Sequence, residues 1–444
     1  MVVSRDKTPT AQETFAQMAQ AAGLRGRLLV TIGLLVLVRL GVYIPVPGVD
    51  LVRFNAEVQN TPLIGFLDVF SGGGLSLLGI FALGILPYIN ASIIMQLLTA
   101  ALPALENLQK NEGEAGRRKI SQITRYVALA WAALQSTMLT TWIQSFADNP
   151  GPVFFAETVL AFTAGSMFVM WISELITERG IGNGASLLIF VNIVAVLPSI
   201  LGNTIELAQQ GGREAIAGSI ILLLSFLLMI VGIVFVQEGT RRIPIISARR
   251  QVGKRLYRER TNYLPLRLNQ SGVMPIIFAS AVLFLPASLA QFTQGRDGFL
   301  GDLHQILLPI SNAVRMDSST PWIYVFVFFT LILFFSYFYS SLIVNPVDMS
   351  QNLKKMGSSI PGIRPGKATS EYLERVINRL TFLGAAFLSV VATVPTAVES
   401  ALGIQTLRGL GATSLLILVG VAIDTAKQIQ TYVISQRYEG MVKK

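Results

Sequence analysis

The sequence predicts an all-α polytopic membrane protein, with ten transmembrane helices arranged as two inverted halves of five. Its composition is too apolar for a soluble chain, since 52% of the 444 residues are hydrophobic and only 14% are charged. Apolar stretches long enough to cross a bilayer of roughly 30 Å occur about ten times. A nine-residue sequence is also repeated, in the second and the seventh of these stretches.

The ten predicted spans cover most of the chain, with boundaries placed to within about 2–4 residues. Several contain Gly, Pro, Ser, Asn or Gln, which favours helices packed on other helices or on a wet cavity over isolated anchors. The predicted spans are residues 27–45, 75–100, 122–145, 153–174, 184–202, 216–237, 271–293, 321–343, 377–396 and 411–433.

Basic residues predict the orientation of these spans. With the N-terminus inside, 29 of the 35 Lys and Arg residues fall in inner segments and five fall in outer segments. This excess follows the positive-inside rule and predicts that both termini are cytoplasmic. The remaining basic residue, Arg39, lies near the outer end of span 1, and its long side chain is expected to reach the membrane surface.

The repeated sequence reads GILPYINAS from Gly84 and GVMPIIFAS from Gly272, identical at five of nine positions. Five spans separate the copies, and an odd number reverses the direction through the membrane, so the pair predicts an inverted repeat. Chance is the alternative, because Gly and Pro are common in membrane helices. Pro87 and Pro275 are predicted to kink the two helices at the same point. The predicted segments are a cytoplasmic segment 1–26, an N-terminal half 27–203, an outer hinge loop 204–215, a C-terminal half 216–433 and a cytoplasmic tail 434–444.

Two loops carry unusual sequence. Residues 62–79, PLIGFLDVFSGGGLSLLG, hold an apolar piece too short to cross the membrane, followed by three glycines. This pattern favours either a re-entrant half-helix buried in protein or an amphipathic helix resting on the outer surface. The inner loop 239–270 carries nine basic residues. Lipid headgroups, a solvated face or docked RNA would each explain them.

A third loop, SSIPGIRPGKATSEYLER at 358–375, presents Arg364 between two Pro-Gly pairs. Proline restricts the backbone on both sides, so this arginine is predicted to stand on a stiff tip that contacts a partner. No cofactor or metal is expected, because the chain lacks cysteine and has a single histidine, His304. No carboxylate pair has a plausible setting for catalysis, so the chain is not expected to be an enzyme.

Several blocks together resemble the SecY family, the pore subunits of the bacterial Sec protein translocase. They are IPVPGVD (44–50), FSGG (70–73), GILPYINASII (84–94), EGEAGRRKISQITRY (112–126), ITERGIGNG (176–184), NLKKMGSSIPGIRPG (352–366) and GATSLLI (411–417). The resemblance covers nearly the whole chain, apart from residues 1–20. It implies ten helices around a central hourglass pore that opens sideways between spans 2 and 7.

The resemblance also implies roles for the residues that match the family's motifs. A pore ring would be formed by Ile85, Ile89, Ile189, Ile193, Ile277 and Ile417. A plug, residues about 62–73, would include Phe66, Leu67, Val69, Phe70, Ser71, Gly72 and Gly73. A lateral gate would include Pro87, Asn90, Ser92, Gln96, Pro275 and Ser280. A cytoplasmic docking surface would be formed by Arg249, Arg250, Lys254, Arg255, Arg258 and Arg364.

A member of this family would conduct unfolded secretory polypeptides that bear signal sequences, and would release signal or transmembrane helices sideways into lipid. The ribosome or the SecA motor would drive it, with SecE and SecG as companion subunits and anionic lipids as a further partner. A bacterial-type inner (plasma) membrane is expected, with a thylakoid membrane as the alternative. A secondary transporter built from inverted repeats is the rival interpretation, and a lipid scramblase or structural membrane protein is a third.

Overall fold

The computed structural model describes residues 22–58, 68, 70–210, 212–247, 251–252, 255–256, 261–293, 305–309, 321–402 and 412–442. They form two compact units, and the chain passes from the first to the second between residues 210 and 211. The last helix contributes its residues from Ile417 onward to the first unit.

The first unit is built of helices. Its helices α1 to α7 are Ala22–Val42, Leu51–Val58, Leu86–Ala101, Pro103–Asn111, Gly113–Ile143, Pro152–Arg179 and Gly184–Gln210. The second unit begins with α8 (Gly212–Glu238) and strands β1 to β4, which are Thr240–Ser247, Gln251–Val252, Arg255–Leu256 and Thr261–Arg267. Next come α9 (Met274–Thr293), α10 (Pro321–Ile343), α11 (Pro346–Lys355), β5 (Ser358–Ser359) and α12 (Lys367–Leu402), and the last helix is α13 (Ala412–Val442).

Every predicted span overlaps one long helix of the described chain, and these helices are α1, α3, α5, α6, α7, α8, α9, α10, α12 and α13. Among the described residues, five helices are individually long and apolar enough to cross a membrane, namely α6, α7, α8, α10 and α12. The pair α3 and α4 is a sixth candidate, bent by 103°. The bend lies at Leu102, whose backbone is extended because the following Pro103 disfavours a helical conformation there.

Several predicted boundaries differ from the structure. In the predicted outer loop 204–215, residues 204–210 continue α7 as helix and residues 212–215 begin α8. Span 2, predicted to start at residue 75, is helical only from Leu86. Residues 72–85 form turns instead. Their three consecutive glycines explain the difference, because glycine favours turns over helix at this density.

The two copies of the repeated nonapeptide begin their helices in the same way. Pro87 lies in the first turn of α3, and Pro275 is the second residue of α9. Gly84 and Gly272 precede these starts with left-handed backbone, at φ +52° and +63°. A proline in a first turn sacrifices no helical hydrogen bond, so both prolines start a helix. The prediction that they kink their helices is therefore wrong.

The turns of residues 72–85 are buried inside the first unit. Leu75 and Leu78 are at most 2% exposed and pack in an apolar core around Phe54. The Val46 N–H donates to the Leu78 carbonyl over 2.9 Å. The irregular backbone thus finds partners within the protein, which is the condition for non-helical chain at membrane depth.

The basic loop 239–270, predicted to face the cytoplasm, contains an antiparallel hairpin in its described residues, which its charge pattern does not predict. Strand β1 pairs with β4 on one side and with β5 on the other. Ile243 and Ile245 are buried on one face of β1 and pack in one core with Leu373 and Ile377 of α12. The sheet and the start of α12 therefore share one apolar core within the second unit.

Candidate functional site

The described end of the predicted plug is a folded turn, residues 70–73, which we call the hinge. The Gly73 N–H donates to the carbonyl of Asp68 over 2.9 Å, and Gly72 has φ +69°. The bond from Gly73 back to Asp68 and the left-handed Gly72 follow the pattern of a Schellman motif, which ends a helix. The Asp68 carboxylate also accepts from the N–H groups of Leu75 and Ser76, over 3.0 and 2.9 Å. The hinge therefore has a defined shape.

Two side chains from other helices bind the main chain of the hinge. Arg39 of α1 donates from Nη1 to the carbonyl of Gly72. Asn192 of α7 donates from Nδ2 to the carbonyl of Phe70 over 2.8 Å. Phe70, Ser71 and Asn192 are only 4%, 1% and 6% exposed. The hinge is thus clamped between two helices of the first unit.

The position of Arg39 corrects the prediction that it reaches the membrane surface. Its side chain is half-buried and lies over the ring of Tyr43, 5.5 Å from the ring centre. Its guanidinium group turns toward the hinge because an acceptor carbonyl lies within reach there. An arginine inside a span is costly unless it has partners in protein, and these contacts provide them.

The predicted pore-ring residues are divided between the two units. The first unit holds Ile85, Ile89, Ile189, Ile193 and Ile417, and the second holds Ile277. Four are at most 2% exposed, and Ile89 and Ile277 are half-buried. On α7, Asn192 lies between Ile189 and Ile193, so the helical turn that carries two ring residues also holds the hinge. The ring assignment stays a prediction.

The predicted gate residues lie on α3 and α9, and only Pro87 and Pro275 belong to a first turn. On α3, Pro87 is buried and Asn90 is half-buried. Gln96 donates from Nε2 to the hydroxyl of Ser92 over 3.2 Å, within its own helix. On α9, Pro275 is buried, and the buried hydroxyl of Ser280 has no hydrogen-bond partner among the described residues. The gate assignment also stays a prediction.

Arg364 occupies the exposed tip of a braced turn between β5 and α12. The flanking glycines 362 and 366 have φ +76° and +106°. The carbonyl of Arg364 accepts from the Thr369 hydroxyl over 2.9 Å. The carbonyl of Gly366 accepts from the Ser350 hydroxyl over 2.7 Å. The backbone of this tip is therefore held from both sides while the Arg364 side chain faces outward.

Of the other predicted docking residues, only Arg255 is described. Arg249, Arg250, Lys254 and Arg258 lie outside the described residues, as do the plug residues Phe66, Leu67 and Val69. Arg255 lies in strand β3. Ser247, at the end of β1, pairs with Ser358 of β5. This pairing joins the end of β1 to β5, the strand that leads into the Arg364 turn.

Sequence reasoning missed the two donors to the hinge. Asn192 is an amide within an apolar run, between two isoleucines assigned to the ring, and that position could have identified it. Its partner could not be found from the sequence, since Phe70 is 122 residues away. Within the described ranges, no group of three or more His, Cys, Asp or Glu side chains is placed to hold a metal ion.

The fold matches solved structures over most of its length. One, described as a protein conducting channel, has a TM-score of 0.63 at 17% identity, covering 91% of this chain and 92% of its own. Another, Sec61 in a canine ribosome-channel complex, has a TM-score of 0.60 at 17% identity, with the same coverage. These likenesses confirm the predicted fold class, a ten-helix polytopic membrane protein with the fold of these channels.

Sequence comparisons identify the family. The SecY family profile matches residues 79–426. Protein translocase subunit SecY of Synechocystis sp. is 72% identical over 444 residues, which is 100% of both chains. The subunit of the same name from Aquifex aeolicus is 43% identical over 434 residues, which is 95% of this chain and 97% of its own. The chain belongs to the SecY family, as the resemblance predicted.

Proposed function

We propose that this chain is the protein-conducting pore of a Sec translocase. It passes unfolded secretory polypeptides across a membrane and releases signal or transmembrane helices sideways into lipid. The finding that carries the proposal is the 72% identity, over the whole chain, to a relative named protein translocase subunit SecY. The mechanism is gating, with energy supplied by a separate motor or by the ribosome.

The seal of the pore is an apolar ring with the plug beside it. Isoleucine side chains at the ring dewet an empty pore and thereby block ions. The near-complete burial of Ile189 and Ile193 supports a closed resting ring. The contact of Asn192 with Phe70 supports a plug that rests next to that ring. A translocating polypeptide displaces both.

The lateral gate lies between α3 and α9, whose starts carry the two copies of the repeat. A signal helix that leaves through this gate moves its apolar side chains into lipid, which contributes about 25 cal/mol for each Å² of apolar surface removed from water. The shared Gly and Pro starts of α3 and α9 support their roles as equivalent leaves.

The driving partner docks on the inner surface formed by the hairpin and the Arg364 turn. The exposed side chain of Arg364 on a braced backbone supports this role. Strand pairing of β1 with β5 supports joint use of the turn and the basic hairpin. The ribosome and SecA are the motors, SecE and SecG are companion subunits, and anionic lipids bind the same basic loops.

We place the protein in a bacterial-type inner membrane, with a thylakoid membrane as the alternative, and both termini in the cytoplasm. The distribution of basic residues supports this orientation. Secondary transporters of similar architecture carry polar or charged sites at mid-membrane, at positions that are isoleucines here. That difference favours the channel over the transporter.

Reconstituted translocation tests the proposal. The chain is placed in vesicles with SecE and SecG and supplied with SecA, ATP and a secretory precursor. Precursor that becomes protected from added protease is the expected result, and the same precursor without its signal sequence is the control. Vesicles that never protect the precursor would refute the proposal. Exchange of a small solute between loaded vesicles would favour the transporter instead.

A further inference from the structure

The hinge is held by contacts that can be broken and remade. Arg39 bonds to a carbonyl of Gly72 and lies over the ring of Tyr43. None of the carboxylates in the described part of the chain forms an ion pair with it. A buried ion pair is hard to separate because each charge is left unpaired. The contacts of Arg39 with a carbonyl and a ring are easier to break, because no unpaired negative charge remains when the guanidinium group moves away.

The two bonds act on the same short piece of backbone from different helices. Arg39 binds Gly72 from α1, and Asn192 binds Phe70 from α7. Residues 68, 70 and 71 are helical, and the negative end of a helix favours cations and donors nearby. The hinge leaves no room for a side chain at Gly72, since a Cβ there would lie 2.6 Å from both Arg39 Nη1 and Asn192 Oδ1.

We propose that Arg39 and Asn192 are positioning residues that form a polar latch, which holds the hinge closed in the resting channel and opens when the ring is occupied. The inference rests on the proposed function. Asn192 shares a helical turn with Ile189 and Ile193, so a polypeptide that pushes these ring residues apart also moves the Asn192 amide away from Phe70. Arg39 alone then retains the hinge less firmly, and the plug leaves.

Labelling of the hinge tests the latch. The chain has no native cysteine, so Ser71→Cys, at a site that is 1% exposed, creates a unique thiol. The substitution is made in the full chain, which is reconstituted in vesicles with companion subunits that also lack cysteine. The readouts are the rate of reaction with a membrane-impermeant maleimide at the outer face and the ion conductance of the resting channel.

Arg39→Met and Asn192→Leu are each expected to raise both readouts about tenfold, which is the effect of losing one hydrogen bond of ordinary net strength. Arg39→Lys keeps a cation and is expected to restore most of the seal. Arg53→Met removes an arginine whose side chain is 80% exposed and should change neither readout.

Unchanged labelling and conductance in both Arg39→Met and Asn192→Leu would overturn the latch. So would a failure of Arg39→Lys and Asn192→Leu to assemble with the companion subunits, because the two residues would then serve folding. Translocation by the unsubstituted chain is measured in the same vesicles. Its absence would refute the proposed function, whereas normal translocation with no effect of the substitutions refutes the latch alone.

Discussion

Gly72→Ala is expected to loosen the resting channel far more than Gly73→Ala, one residue further on. Both glycines have left-handed backbone, at φ +69° and +87°. A Cβ at Gly73 would meet no atom within 4 Å, whereas a Cβ at Gly72 would meet Arg39 and Asn192. The pair therefore separates backbone strain from loss of the latch.

The magnitude follows from what each alanine displaces. Left-handed backbone costs alanine roughly 1–2 kcal/mol, and both variants bear this cost. In Gly72→Ala the side chains of Arg39 and Asn192 must also withdraw from their carbonyls. The net loss for those two bonds is about 1–3 kcal/mol. The released form of the hinge should therefore become roughly 5 to 150 times more populated in Gly72→Ala than in Gly73→Ala.

Resting ion conductance of the reconstituted complex measures this difference. Conductance should rise strongly in Gly72→Ala and only slightly in Gly73→Ala, with both variants assembling normally with SecE. Equal conductance in the two variants would refute the reasoning, since backbone strain alone would then explain the effect. Combining Gly72→Ala with Arg39→Met should add little further conductance, because both changes break the same contact.

Three further predictions concern the ring, the docking surface and the gate. Ile417→Asn places an amide at a position that is 1% exposed and should allow export of precursors with defective signal sequences. If the variant rejects these precursors as strictly as the unsubstituted chain does, Ile417 does not belong to the ring. Arg364→Glu should slow translocation at least about tenfold, because it reverses the charge that contacts the motor. The control Lys367→Glu, at a residue that is also exposed, should slow translocation less. Equal translocation rates in the two variants would contradict a specific role for Arg364. A cysteine pair with one member in α3 and one in α9 should block secretion when oxidised and restore it when reduced, provided that the Cα atoms lie about 4.4–6.8 Å apart; complete crosslinking with undiminished secretion would show that these helices are not the gate.

The helices of the fold could be predicted from the sequence because each apolar run is long enough to specify a helix by itself. The start of α3 could not. Composition extends span 2 to residue 75, but Gly84 and Pro87 favour a helix start, and turns precede it. The sequence predicts a kink at Pro87, since a sequence does not reveal whether a proline lies inside a helix or in its first turn.

The hairpin of the inner loop was missed for a different reason. Nine basic residues dominate its composition, and charge does not distinguish a strand from a loop. The spacing of Ile243 and Ile245, two positions apart and therefore on one face of a strand, was the available indication. It became meaningful only with the partner strand β4 and the apolar face of α12 in place.

The candidate site was predicted residue by residue only where the family's motifs supplied it. Ile189 and Ile193 could be assigned by resemblance, but the role of the intervening Asn192 could not. Its bond partner Phe70 and the other donor, Arg39, are distant in sequence and meet only in the folded chain. Arg39 was expected at the membrane surface because a sequence shows the charge and not the nearby carbonyl.

The central claim, that polypeptides pass through the ring of this chain, is tested most directly by a crosslink. A photoreactive residue is placed at Ile89 and, as a control, at Leu228, whose side chain is 73% exposed on α8 and is expected to face lipid. A secretory chain is then stalled during translocation and irradiated. The account predicts that the probe at Ile89 crosslinks to the stalled chain and the probe at Leu228 does not. Crosslinks from Leu228 with none from Ile89 would contradict it.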